Sequence, residues 1–119
     1  MTPTPKPPRE SVVHRFLRYV KIDTQSADGA PATPSTETQW TLARLLAGEL
    51  KELGASDVRV SDHCMVYARI PGTVPESPGL PVIGFIAHVD TSPAVSGANV
   101  KPVIPIATPA FAGLQPEGN

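Results

Sequence analysis

Residues 82–91, with the sequence VIGFIAHVDT, carry the strongest signal of the fold in this chain. The run from 82 to 86 is apolar apart from one glycine and lacks alternation, so it predicts a central strand covered by helices on both faces. Such a strand delivers its last residues to the carboxyl edge of a sheet, where ligands bind in open α/β folds. His88 and Asp90 are therefore the first candidates for a functional site.

Length and composition restrict the class of protein. The chain has 119 residues, about the size of one small domain. Its 10 basic residues nearly balance its 11 acidic ones and form no stripe, so we expect no nucleic-acid partner. Cys64 is the only cysteine, which fits a reducing compartment, and we expect it to be half-buried in a strand. With no apolar signal segment or membrane span, a soluble cytoplasmic protein without a membrane partner is expected.

Prolines divide the chain into a domain and two tails. Of the 15 prolines, 12 cluster outside the periodic segments, at 3–8, 71–81 and 102–116. Because proline fixes φ and donates no backbone hydrogen bond, residues 1–10 are predicted to be a disordered tail. Residues 11–104 are predicted to form one domain, and residues 105–119 an irregular tail.

Two amphipathic helices are predicted in the first half of the chain. Ser11 is the expected N-cap of the first, with His14 on its solvated face. A loop over 23–34 follows, and Thr36 and Gln39 then have the spacing of a capping box at the start of the second helix. Gly54 is expected to end that helix. Its buried face is predicted to be Trp40, Ala43, Leu46, Ala47, Leu50 and Leu53, and its solvated face Arg44, Glu49, Lys51 and Glu52.

Three strands are predicted after the second helix, at 58–60, 65–70 and 80–87. The first two have alternating patterns, with His63 in the surface turn between them, whereas the third is apolar on both faces. Helices and strands together predict an α/β fold, an incomplete three-layer α/β/α domain. Since an apolar strand without neighbours exposes its backbone and side chains, self-association through the third strand is also expected.

The residues alone leave two interpretations of the His88 and Asp90 pair. Side chains two residues apart in an extended segment point to the same side, so Asp90 can accept a ring N–H of His88. The pair is then either a hydrogen-bonded pair at a turn or a metal ligand whose tautomer is fixed by a carboxylate. Zinc takes three or four protein ligands, and only one is apparent in the sequence.

A longer pattern extends from about residue 12 to residue 104. Its blocks are RFLRYV at 15–20, DTQS at 23–26, PSTE at 34–37, QW at 39–40, GFIAHVDTSP at 84–93 and SGANV at 96–100. In these blocks the chain resembles peptidase T, the tripeptide aminopeptidase branch of the dizinc aminopeptidase and deacylase family. The resemblance identifies residues 11–104 as the N-terminal part of a zinc-peptidase catalytic domain.

The resemblance also implies a chemistry. His88 matches the family's first zinc ligand, and Asp90 the catalytic acidic residue that orients it. In this family two zinc ions share a bridging carboxylate and a water, a glutamate acts as general base, and unblocked tripeptides lose their first residue. The other ligands, the general base and the lid domain would lie beyond Asn119. The resemblance therefore predicts an N-terminal fragment that is inactive alone; the alternative is a non-catalytic α/β fragment or association module.

Overall fold

The computed structural model describes residues 10–74 and 79–104. The elements in chain order are helix α1 (Val12–Tyr19), helix α2 (Gln39–Glu52), strand β1 (Ser56–Val60) and strand β2 (Val66–Arg69). The strands form an antiparallel sheet, and α2 packs on both of them. The predicted α/β class is confirmed, with two strands among the described residues rather than three. The predicted tails, apart from Glu10, lie outside the described residues.

Helix α1 begins at the predicted residue but does not bury its apolar stripe. The Ser11 hydroxyl accepts a hydrogen bond from the backbone N–H of His14 at 3.2 Å, as an N-cap does. Val12 is nevertheless 80% exposed and Phe16 61% exposed, and α1 contains no buried residue. What attaches α1 to α2 is a set of polar contacts to the carboxylate of Glu49.

Helix α2 begins near the predicted position, but not through a capping box. Thr38 is the N-cap residue and its side chain makes no capping hydrogen bond. The Gln39 amide instead donates to the hydroxyl of Thr36 at 3.0 Å, so the two side chains bond each other rather than each other's backbone N–H groups. The predicted capping box is therefore wrong. Gly54 follows the helix with a φ of 86°, a conformation that glycine adopts without steric cost, and ends it as predicted.

The core lies between α2 and the sheet and is small. Ala43 and Ala47 are buried as predicted, and Leu42, which was not predicted, is buried with them. The other predicted core residues are half-buried: Trp40, Leu46, Leu50 and Leu53. Glu49 was predicted to be solvated, but its side chain is only 12% exposed because long side chains of α1 cover it. Neither α1 nor α2 could span a lipid bilayer.

The sheet has an irregular register and a turn that contains the only cysteine. Pairing of β1 with β2 shifts between Ser56 and Arg59, where Asp57 has a φ of 52°, as at a β-bulge. His63 is exposed in the turn between the strands, as predicted. Cys64 is half-buried as predicted, but it lies in that turn with a φ of 63° and not in a strand. Burial raises the pKa of its thiol.

The third predicted strand, at 80–87, is not formed. Residues 80–90 have no regular secondary structure, and Val82, Phe85 and Ile86 are 91%, 95% and 100% exposed. A strand needs backbone hydrogen bonds to a neighbour. No ladder joins this segment to another part of the described chain. The apolar pattern indicates a preference for burial, but a strand forms only where a neighbouring strand is present to accept and donate its backbone hydrogen bonds, so the strand predicted at 80–87 is wrong for the described residues.

Candidate functional site

His88 and Asp90 contact each other at the end of the exposed segment. Nδ1 of His88 lies 3.1 Å from Oδ1 of Asp90 and also 3.1 Å from the Asp90 carbonyl oxygen. The His88 side chain is 86% exposed and that of Asp90 42% exposed. The contact expected from their two-residue spacing is present, although no strand supports it.

This geometry selects one tautomer of the His88 ring. A carboxylate and a carbonyl oxygen can only accept hydrogen bonds, so Nδ1 must be the nitrogen that carries the proton. In the neutral ring Nε2 then bears the lone pair and is the nitrogen able to bind a metal or accept a proton. An imidazole whose other nitrogen donates to a carboxylate is the arrangement typical of zinc-bound histidines.

A parallel backbone bridge fixes the residue that follows the pair. The Thr91 N–H donates to the Thr24 carbonyl at 3.1 Å, and the Ser26 N–H donates to the Thr91 carbonyl at 3.0 Å. The Ser26 hydroxyl also donates to the Thr91 carbonyl at 3.0 Å. Both backbone polar groups of Thr91 are thus satisfied by a loop that precedes it by more than 60 residues. Thr24 is 3% exposed, so the Thr24 end of this bridge is sheltered from water, whereas Thr91 is exposed.

The side chain of Gln25 joins the same two loops. Its Nε2 donates to the Pro93 carbonyl at 3.0 Å, and its Oε1 accepts from the Gly97 N–H at 3.3 Å. Its own N–H donates to Oδ1 of Asp23 at 3.0 Å, which closes a tight turn. The loops at 23–26 and 91–97 are therefore connected through both backbone and side chain.

Gly97 is the closest packing point of this junction. A Cβ added to it would lie 2.8 Å from Oδ1 of Asp23, 3.0 Å from Oγ1 of Thr91 and 3.2 Å from Cβ of Gln25. Contacts under 3.0 Å are sterically forbidden, so only glycine fits here without movement of the neighbours.

Sequence reasoning assigned Gln25 to a loop and gave Gly97 no role. The signal that could have identified them is the pattern of blocks, because DTQS at 23–26 and SGANV at 96–100 occur together with the block that contains His88 and Asp90. The spacing of residues along the chain could not reveal that the three blocks meet in space.

The described residues do not form a complete metal site. No three His, Cys, Asp or Glu side chains within 10–74 and 79–104 are placed to share a metal ion. A shallow groove lies elsewhere, between α1 and the segment 99–104, and its lining includes Leu17 and Lys21 but neither His88 nor Asp90. What the pair offers chemically is one imidazole nitrogen with its partner carboxylate.

Comparison with known proteins gives sequence relatives. No family model matches the chain. It is 55% identical over 91 residues to the Peptidase T of Desulfitobacterium hafniense, a match that covers 76% of the chain and 22% of the relative. It is 52% identical over 95 residues to the Peptidase T of Aliivibrio fischeri, covering 80% and 23%. The Peptidase T of Halothermothrix orenii is 52% identical over 93 residues, covering 78% and 22%.

These matches include the candidate site. A matched stretch of 95 residues in a chain of 119 necessarily contains residues 25–95, and with them Gln25, His88 and Asp90. The chain spans less than a quarter of the length of the curated relatives it matches. The resemblance stated from the sequence is confirmed.

Proposed function

We propose that this chain, which belongs to the peptidase T family, carries part of the active site of a zinc-dependent aminopeptidase that removes the first residue of tripeptides. The supporting observation is the contact between His88 Nδ1 and the Asp90 carboxylate, within a stretch that is about half identical to proteins named Peptidase T. The lone cysteine and the proposed peptide substrate fit a cytoplasmic enzyme.

The residues present fit zinc as one ligand with its supporting carboxylate. Nε2 of His88 is the lone-pair nitrogen, its ring is largely exposed, and Asp90 raises the basicity of the imidazole by accepting from Nδ1. The chemistry that a bound zinc supplies in such sites is activation of water and polarisation of the scissile carbonyl. No three side chains able to bind zinc lie together among the described residues. The remaining ligands are therefore proposed to come from other parts of the whole enzyme.

Each residue then has a distinct role. His88 binds through Nε2, and Asp90 keeps the Nδ1 proton in place, so that Nε2 carries the lone pair and the ring is correctly turned while it acts as a ligand. The carboxylate stabilises any positive charge that develops on the imidazole. Loss of His88 removes a ligand, whereas loss of Asp90 leaves the ligand but frees its tautomer.

A chimaera tests this function. Residues 12–104 of the chain would replace the matching segment of the D. hafniense Peptidase T, and cleavage of unblocked tripeptides would be assayed with zinc. We expect an active enzyme in which His88→Ala abolishes cleavage. We expect Asp90→Asn to lower it by about 10-fold to 100-fold, the usual cost of losing a carboxylate partner of a metal ligand.

The matched control is His63→Ala, which removes an exposed turn histidine and is expected to leave activity unchanged. Retained cleavage in a folded His88→Ala chimaera would exclude His88 as a ligand. A folded chimaera that is inactive with the unaltered segment would contradict the proposed peptidase function of these residues.

Exposed apolar side chains favour a second candidate function, that of an association module. Val82, Ile83, Phe85 and Ile86 are each at least 76% exposed in one segment. Contiguous apolar surface of this kind is typical of interaction sites. Sedimentation velocity of the 119-residue chain over a hundredfold concentration range tests the candidate: concentration-dependent oligomers support it, and a monomer throughout contradicts it.

A further inference from the structure

We propose that Gln25 is a positioning residue for the His88 and Asp90 pair. Its side-chain amide fixes the segment that follows Asp90, and through that segment it determines the tautomer and direction of the His88 ring. The inference rests on the proposed function, in which His88 is a ligand through Nε2.

The segment before the pair cannot do this. Residues 80–90 form no helix or strand, and most of their side chains are exposed, including Phe85 at 95%. The backbone first becomes anchored at Thr91, through its hydrogen bonds with Thr24 and Ser26. Because Asp90 directly precedes this anchor, the position of Thr91 sets where the Asp90 carboxylate and carbonyl meet the ring.

Gln25 supplies the side chain that keeps this anchor closed. Its Nε2 donates to Pro93 and its Oε1 accepts from Gly97, so one amide group spans the loop that follows Thr91. The arrangement needs a donor and an acceptor at the end of a two-methylene side chain. Glutamate has the length but no donor, and asparagine has the donor but is one methylene shorter.

Gln25 is itself fixed from the side of α2. The Thr36 hydroxyl donates to the Gln25 carbonyl at 2.7 Å and accepts from the Gln39 amide at 3.0 Å. Gln39 is 9% exposed and is the first residue of α2. A continuous series of hydrogen bonds therefore connects the N-terminal end of α2 to the residues next to the proposed ligand.

The test measures the tautomer of His88 in the 119-residue chain. Long-range proton–nitrogen correlation spectra of ¹⁵N-histidine-labelled protein would be recorded about two pH units above the ordinary histidine pKa, where the rings are neutral. We expect the unaltered chain to show His88 mainly as the Nδ1–H tautomer. In Gln25→Ala this preference is expected to be lost, so that His88 shows the tautomer mixture of the exposed His63.

Ser96→Ala is the matched control. The Ser96 hydroxyl accepts from the Ala98 N–H within the same loop but forms no hydrogen bond with Gln25, so the tautomer of His88 is expected to stay unchanged. Circular dichroism of α2 checks the fold of each variant. Where Gln25→Ala does not fold, Gln25→Glu takes its place in the test, because it keeps the acceptor for Gly97 but loses the donor to Pro93. In this variant the preference of His88 for the Nδ1–H tautomer is expected to be reduced.

An unchanged Nδ1–H preference in the folded variant, or no preference in the unaltered chain, would overturn the inference. The chimaera assay tests the proposed function separately, because the described residues offer zinc only one ligand. If the tautomer depends on Gln25 but a folded His88→Ala chimaera still cleaves tripeptides, the metal role is contradicted and the positioning role is retained. If the tautomer does not depend on Gln25 but His88→Ala abolishes cleavage, only the positioning role is contradicted.

Discussion

At the scale of single residues, Gly97 has no room for a side chain. Since its Cβ would meet Oδ1 of Asp23 at 2.8 Å, Gly97→Ala must displace the Asp23 side chain, which accepts from the Gln25 N–H, or move one of the two loops. We expect the free energy of unfolding to fall by about 1–3 kcal/mol, the usual cost of overpacking. Urea denaturation followed by circular dichroism and by the amide signal of Thr91 measures the loss.

Gly48→Ala provides the control for that substitution. Gly48 lies within α2, and a Cβ there would meet nothing within 4 Å. Because alanine favours helix over glycine, this variant is expected to be more stable by about 1 kcal/mol. Equal losses in both variants would show that the junction around Gly97 is not tightly packed.

Glu49 is the second residue whose substitution has a defined consequence. Its carboxylate accepts hydrogen bonds from Arg15 at 2.6 Å and from Tyr19, and it forms an ion pair with Arg18 at 2.5 Å. Glu49→Gln should lower stability by about 1–3 kcal/mol, because two guanidinium groups lose a shared charged acceptor. Glu52→Gln, on an exposed position of the same helix, should change it by less than about 0.5 kcal/mol. Thermal melts of both variants make the comparison, and equal melting temperatures would contradict the role of Glu49.

At the scale of elements, α1 depends on charge for its attachment to α2. Burial alone would raise the pKa of Glu49, but hydrogen bonds from Tyr19 and Arg18 and the charges of Arg18 and Arg15 outweigh it, and the pKa lies below its ordinary 4.5. Arg18 also lowers the pKa of Glu10. A carboxyl whose pKa is lower in the folded state stabilises that state above its unfolded pKa and stops doing so as pH falls through the folded value.

The attachment of α1 is therefore expected to weaken as pH falls below about 4.5, while α2 and the sheet stay together. Hydrogen exchange of α1 amides, compared with amides of α2, measures this difference between pH 6 and pH 3. The same measurement on Glu49→Gln, expressed as protection relative to the unfolded chain at each pH, should show α1 protection that is already low at pH 6 and changes little down to pH 3. Protection of α1 that is constant down to pH 3 would contradict the prediction.

The same elements show what sequence could and could not predict. Ser11 and Gly54 marked helix ends correctly, because capping depends on the backbone conformation and side chain of a single residue. Glu49 was predicted to be solvated, since helical periodicity describes one helix and contains nothing about which side chains of another helix will cover it. For the same reason the contact within His88 and Asp90 followed from their spacing, whereas the junction of Gln25 with Gly97 did not.

At the scale of the whole molecule, the largest mismatch between sequence and structure is the apolar segment at 80–86. Its residues have the composition of a central strand. The buried apolar core among the described residues, however, consists of three residues of α2: Leu42, Ala43 and Ala47. Burying one large apolar side chain contributes about 1.5–3 kcal/mol. Several such side chains in one exposed segment therefore provide a strong driving force for contact with another chain.

The isolated 119-residue chain is therefore predicted to self-associate through this apolar segment. Phe85→Asp is expected to reduce association by at least about tenfold in dissociation constant, since it removes a side chain that is 95% exposed and places a charge on the apolar segment. Val95→Asp, which adds the same charge to a side chain that is 75% exposed outside that segment, is expected to leave association unchanged. Sedimentation equilibrium measures both constants. Because neither side chain is buried, both variants should melt at the temperature of the unaltered chain when it is monomeric. Equal weakening by the two substitutions would mean that charge alone, and not the segment at 80–86, controls association.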